Sequence, residues 1–247
     1  MRQYSNLEES TRKLTLLLAS IFLAVTGAIG QPAIENVVDL DIAFGDTQGT
    51  LSTSLHRNWF IGGQKKIFLG VGGRFTGYIG RNKYYVTAPA QLTSNGTGPL
   101  VIFKENIVAN MDTFLIQKPN VYALNAMVNL GYRFTPKFHA GFNIDFIGVS
   151  FGGERRGNYI NGKQGGMTNS KVSPFNALLV SDNDLGTLNS ELYGRYEVAD
   201  RWSVKAGLQF LFTEYTTDTK VQQFPEPNDR FRKKSLMFMI GTSFKLK

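Results

Sequence analysis

Cysteine is absent from the 247 residues, which excludes a disulfide scaffold, a thiolate zinc site, a cysteine nucleophile and a lipid-anchoring cysteine. Histidine is nearly absent, occurring only as His56 and His139, so imidazole chemistry has two places to arise. Charged residues are few, at 19%, against 42% hydrophobic and 13% aromatic residues and 26 glycines. Such a chain is too apolar for disorder and too rich in glycine for a helical bundle. Long apolar runs are also lacking: the best candidate, Leu14 to Gly27, falls short of the roughly 20 residues that a spanning helix needs. The length suits one all-β domain.

The run from Leu14 follows a polar stretch ending in Arg12-Lys13 and leads to Ala28-Ile29-Gly30, the pattern of a secretory signal peptide with its cleavage site. Residues 1–30 are therefore expected to be a leader and 31–247 the working domain. Removing the leader takes three basic and two acidic residues, so the formal net charge falls from +8 to +7. Nucleic acid is not the expected partner of this basic chain, because it is exported and no basic run interleaves with stacking aromatics. Anionic lipid or lipopolysaccharide phosphate is the better match.

With no spanning helix, a membrane form would have to be a closed β-barrel, the other structure that satisfies every backbone polar group in hydrocarbon. Periodicity supports one. From Asn120 to Phe134 the residues Tyr122, Leu124, Ala126, Val128, Leu130, Tyr132 and Phe134 share one face, and Asn125, Asn129, Gly131 and Arg133 the other, a period of two. Phe138 to Phe146 repeats it opposite His139, Gly141, Asn143 and Asp145, with a slip near Gly148 as at a bulge. Eight strands are expected at about 37–44, 50–61, 66–80, 119–134, 137–152, 186–199, 201–216 and 231–246. Tight turns at Gly62-Gly63-Gln64, Thr135-Pro136 and Asp200 alternate with long segments at 81–118, 153–185 and 217–230. In an up-and-down order the long segments fall at one end, as the external loops of an outer-membrane barrel do.

A secreted soluble sandwich or lipocalin-like barrel also alternates apolar and polar residues, but soluble strands average about five or six residues. Several here run twelve to sixteen, enough to cross an apolar band about 25 Å tall at a tilt. Aromatics gather towards strand ends at Trp59, Tyr132, Phe134, Phe138, Trp202, Phe210, Phe212, Tyr215 and Phe244, where an interfacial girdle would sit.

On these strands and turns, NVYALNAMVNLGYRFTPKFHAGFNIDF and RWSVKAGLQFLF above all, residues 36–247 resemble the Gram-negative outer-membrane β-barrel superfamily, of the small OmpA-transmembrane and OmpX-like type. The resemblance implies an eight-stranded up-and-down antiparallel transmembrane β-barrel, with ten strands as the variant, in the bacterial outer membrane.

An eight-stranded interior is just wide enough to be filled by side chains. Buried charges there must be paired, so Asp39, Asp41, Arg74, Arg133, Asp145, Glu191, Arg195, Glu197 and Lys205 are expected to form an ion-pair network in the lumen. Ser54 and His56 share a strand face and could form a dyad, but a hydrolase also needs an orienting acid within reach; no catalytic residue is assigned. Gly70-Val71-Gly72-Gly73 opens no helix and is not a phosphate loop; glycine there permits curvature or the close approach of a side chain. Asp182-Asn183-Asp184-Leu185-Gly186 lacks the later ligands of a calcium loop and reads as a turn. No metal or cofactor is expected.

Specific contacts would be carried by the loops, and Tyr84, Tyr85, Arg155, Arg156, Tyr159 and Lys163 are the candidates, beside Glu154. The expected role is non-enzymatic, structural or adhesive, with outer-membrane lipid, lipopolysaccharide or an extracellular or cell-surface protein as partner. A small porin or transport channel is the alternative, and a lipid A-modifying acyl hydrolase or transferase the third reading.

Overall fold

The computed structural model describes residues 33–96, 104–161, 164–179 and 181–246; residues 1–30, expected to be a leader, lie outside them, as does Lys163. Among the described residues, thirteen strands form one antiparallel sheet. Eight are long: β1 (Ala33–Gly45), β2 (Gln48–Ile61), β3 (Ile67–Gly80), β6 (Asn120–Arg133), β7 (Phe138–Phe151), β11 (Leu188–Glu197), β12 (Trp202–Thr217) and β13 (Arg230–Lys245). They match the expected segments to within a few residues. Each pairs with the next in that order, and β13 pairs with β1, Val37 standing opposite Lys245 and Phe44 opposite Phe238. The circuit leaves these strands no free edge along most of their length.

Three connections at one end are tight. Gly62 adopts φ +81° and its carbonyl accepts from the amide of Lys65 at 3.0 Å. The Thr135 hydroxyl accepts from the amide of Phe138 at 2.9 Å, and Val198 donates to Trp202 at 3.0 Å. The first and last described residues lie at this same end. The sequence slip near Gly148 is a bulge: Ala126 faces Ile147 and Met127 faces Asp145, so Phe146 is the extra residue.

The other end holds the segments expected as long loops, and two of them are built into the sheet. The segments 81–118 and 153–185 carry five more strands, β4 (Lys83–Thr87), β5 (Thr113–Ile116), β8 (Arg155–Asn161), β9 (Gln164–Val172) and β10 (Phe175–Ala177), and one short helix, α1 (Ala90–Thr93). β13 continues past β1 and pairs with β4, β12 continues past β11 and pairs with β9, and β4, β5, β8 and β9 pair in series. The widest circuit of pairings therefore takes in twelve strands. β10 lies against β7.

The core of this extension is apolar and aromatic. Tyr85, Phe114, Ile116, Tyr159, Val172, Tyr215 and Phe231 form one buried cluster with Tyr78, Val121, Leu211, Met237 and Met239 at the upper end of the long strands. Tyr85 and Tyr215 meet edge to face at 5.3 Å. Tyr215, expected in an interfacial girdle, is fully buried instead, because β12 outruns its neighbours and its inner face is roofed by β4 and β9.

Below the cluster the burial pattern is inverted relative to a soluble protein. The faces turned outward carry Leu40, Ile42, Leu51, Leu55, Leu69, Val71, Leu124, Leu130, Leu192, Val204, Leu208, Phe238 and Ile240, all exposed. The faces turned inward carry Asp39, Asp41, Ser52, Asn58, Arg74, Asn125, Asn143, Asp145, Glu191 and Lys205, all buried. Water does not favour such an exchange, whereas hydrocarbon requires it. Near the tight turns Tyr132, Phe134 and Phe138 cluster, with ring centroids 5.0 and 5.8 Å apart, and Trp202 meets Phe244 at 4.9 Å.

Gly70 and Gly72 lie on the inner face of β3. A Cβ at Gly70 would come within 2.1 Å of the Asn58 side chain, and one at Gly72 within 2.5 Å of the His56 Cβ. Close approach by interior side chains, one of the two roles expected of the glycine cluster, is thus its local reason.

Candidate functional site

Two charged groups occupy the interior of the long strands, one at mid-height and one near the tight turns. In the first, Lys205 on β12 reaches Asp39 and Asp41 on β1 at 3.1 and 2.9 Å and Glu191 on β11 at 2.9 Å. Arg74 on β3 crosses to Asp145 on β7 at 3.1 Å and to Glu191 at 2.8 Å, and donates to Asn143 at 2.7 Å. Asn143 donates in turn to Glu191 at 2.9 Å, and Asn125 to Asp145 at 2.8 Å. Glu191 therefore links both cations. The alternation of each strand delivers one or two of these groups, and the closed circuit brings them within contact. Every one is buried, Arg74 and Lys205 included, so their charges are held by one another and by amides in place of water.

The second group was legible only in part. Arg195 pairs with Glu35 at 2.6 Å and stands 3.1 Å from His139 Nδ1. His139 Nε2 is 3.2 Å from Glu197, which also holds Lys245 at 2.5 Å. Arg133 lies 3.8 Å from Glu35 and stacks over Phe60 at 4.0 Å. Arg133 and Glu197 are only partly buried, so this group is the wetter of the two. Sequence reasoning missed Glu35 and Lys245. Glu35 shares the parity of Asp39 and Asp41, and Lys245 that of Ser243, so alternation extended by one more residue pair would have found them.

Ser54 and His56 do share the interior face of β2. His56 lies 4.0 Å from Asp39, yet neither ring nitrogen makes a hydrogen bond, so the hydroxyl-to-imidazole link that a relay requires is not formed.

The surface candidates divide. Tyr84 and Arg156 are exposed, whereas Tyr85 and Tyr159, expected as contacts, are buried. The strand register decides this, since β4 turns Lys83, Tyr85 and Thr87 inward and Tyr84 and Val86 outward. Arg155 is held through its Nε at 3.0 Å and its Nη2 at 2.5 Å by the Asn120 side chain, a bond that ties β8 to the top of β6. Glu154 is exposed and pairs with Lys171 at 3.6 Å. One row of the outward face runs Tyr84, Leu115, Asn158, Met167 across β4, β5, β8 and β9. Asp182 holds Lys234 at 2.6 Å and Gly186 takes φ +69°, so the segment expected as a turn is one.

Tyr159 donates its hydroxyl to Asp112, and burial together with that carboxylate pushes its phenol up to about 12. Tyr159→Phe should cost about 1–2 kcal/mol and raise the rate of protease nicking in the outer extension without loosening the long strands. The sign for pH is that of a neutral acid with a raised folded value. Its contribution holds below the ordinary value of 10 and is lost as pH rises from there through about 12, which alkaline unfolding of wild type against Tyr159→Phe would check.

No protein-family model matches the chain, and no curated protein does. Solved structures do. Neisserial surface protein A is 10% identical with a TM-score of 0.33, covering 88% of this chain and 100% of its own. Ail, the attachment invasion locus protein of Yersinia pestis, solved in complex with the heparin analogue sucrose octasulfate, is 6% identical with a TM-score of 0.34 over 88% of this chain and 100% of its own. A major outer membrane protein from Thermus thermophilus is 9% identical with a TM-score of 0.37 over 87% and 100%. Ail and the Thermus protein are outer membrane proteins. For this chain, the assignment of faces stands on its own burial pattern.

Proposed function

We propose that the chain is a non-enzymatic bacterial outer-membrane protein, in which the eight long strands form one transmembrane barrel with the tight turns in the periplasm and the folded extension outside the cell. Its role is structural and surface-interacting. The supporting observation is the pair of charged groups that bridge the interior from strand to strand, above which the aromatic cluster closes the outer end. An interior filled by mutually bonded side chains braces a wall and does not conduct. The extension, in contrast, is a strand-paired platform whose outward row of Tyr84, Leu115 and Met167, flanked by Arg156, suits contact with another surface.

The reading is tested in two ways. Purified protein in planar bilayers should give a flat current trace; reproducible unitary steps would put a channel in its place. Vesicles carrying the protein should adhere to a cell layer above the level of empty vesicles. Tyr84→Ala combined with Arg156→Ala should abolish that excess while the folded band on an unheated gel persists, since exposed substitutions of this kind change stability by only about 0.5 kcal/mol. Adherence equal to that of empty vesicles would remove the surface role.

A further inference from the structure

The outward face of β1, β2, β3 and β6 is not an even apolar wall. Just below the turn between β1 and β2, Gly49 and Gly77 stand opposite Ile79 and Leu51 and leave a groove of about 420 Å³. Phe44, Leu51, Phe75, Ile79 and Tyr122 form its flanks. Two of these belong to an aromatic stack, with Phe75 6.3 Å from Tyr122 and Tyr122 5.7 Å from Phe151. The lining is almost wholly carbon, and the groove faces the layer that the exposed leucines and isoleucines of the same strands face.

Its upper rim is basic. The amide of Arg81 bonds to the Thr47 carbonyl at 2.9 Å, which fixes Arg81 beside the turn above the groove. Gly80 donates to Pro119 and Asn82 to Gln117, which sets exposed Lys118 next to Arg81. Lys83 donates to the carbonyl of Asp46, and Lys233 feels the charges of both Lys83 and Asp46. Lys83 and Lys233 thus stand by Asp46, whose side chain is 96% exposed, and Arg81 and Lys118 are the exposed cations of the rim. An apolar groove beneath a basic rim is complementary to an acylated, phosphorylated lipid standing upright in the leaflet.

We propose that this groove seats one acyl chain of a phosphorylated glycolipid of the outer leaflet, with its phosphate against the exposed Arg81 and Lys118. The proposal rests on the outer-membrane reading above, and assigns the long-strand wall a lipid site of its own, separate from the outward row of the extension. The glycolipid is favoured over a phospholipid because the rim lies at the end away from the tight turns and termini, in the leaflet where phosphorylated glycolipid faces the outside.

Native mass spectrometry of the full chain released from detergent tests it, with a bis-phosphorylated acylated glucosamine disaccharide added, and its dephosphorylated form and phosphatidylglycerol as the other arms. Wild type should retain the phosphorylated glycolipid in preference to both. Gly77→Leu fills the slot, and a Cβ there meets nothing closer than the Tyr122 ring at 3.4 Å, so the strand accepts it. The bound fraction should fall about tenfold, the equivalent of roughly two methylenes no longer buried. Arg81→Ala with Lys118→Ala should reduce retention several-fold, and Leu192→Trp on the opposite wall should leave it unchanged. Equal retention by Gly77→Leu and wild type would overturn the proposal, as would equal retention of the dephosphorylated glycolipid or of phosphatidylglycerol. Failure of the outer-membrane reading looks different: wild type would stay soluble without detergent and would run at one position on a gel whether heated or not.

Discussion

Lys205→Met lowers the unfolding free energy by roughly 3–5 kcal/mol, measured by urea titration of the protein folded in phospholipid vesicles. The size follows from what is left behind. Lys205 is the cation that Asp39, Asp41 and Glu191 share at about 3 Å, and all four are buried. Without it, Glu191 keeps Arg74 at 2.8 Å, but Asp39 and Asp41 face each other with His56 as their nearest basic group, at 4.0 Å from Asp39. An uncompensated buried charge is what makes breaking such a pair costly, more than the attraction forgone. Asp41→Asn removes one acceptor of three and should cost much less. A loss below about 1 kcal/mol for Lys205→Met, the range of solvated ion pairs, would mean that water reaches these groups, and the case for a conducting interior would reopen.

The strands that carry this network were readable because they obey a single rule over long spans. In Tyr122 to Arg133 every second residue is apolar and the intervening ones, Met127 apart, are small or polar, so period and register could both be read. The same rule placed Asp39, Asp41, Arg74, Asp145, Glu191, Arg195 and Lys205 on inner faces from the sequence alone. It could not say which pairs meet, since β12 reaches β1 only through closure of the circuit. It failed in the outer extension for a physical reason. β4 is five residues long and turns Lys83, Tyr85 and Thr87 inward, so its buried face is no more apolar than its exposed one and the alternation carries no hydropathy signal. Tyr84 and Tyr85 are chemically the same residue; only pairing with β5 and β13 separates the exposed one from the buried one. Those partners lie far along the chain, at Phe231 and Arg232 in the case of β13, where local sequence cannot see them. Glu35 was missed more simply, because the first strand begins at Ala33 and not at 37.

Leu192→Arg is the sharpest test of which solvent the outer wall meets. Leu192 is 60% exposed, lies near the middle of β11, and pairs with Phe142 on one side and Leu208 on the other, both of them outward-facing. In a soluble protein an exposed leucine tolerates arginine within about 0.5 kcal/mol. On the midplane of a bilayer the same change costs about 2–4 kcal/mol, falling to about 0–1 near the interface. Val198, 59% exposed, supplies the internal control, since it lies in the tight turn after β11 and donates to Trp202 at 3.0 Å, close to the aromatic cluster of that end. Val198→Arg should therefore cost little while Leu192→Arg costs several-fold more, the two compared by urea unfolding in the same vesicles. Exposure to water cannot produce that difference, because the two side chains are exposed to the same degree. Only depth in hydrocarbon distinguishes them, so equal costs at the two positions would mean that the outward leucines and isoleucines do not face lipid.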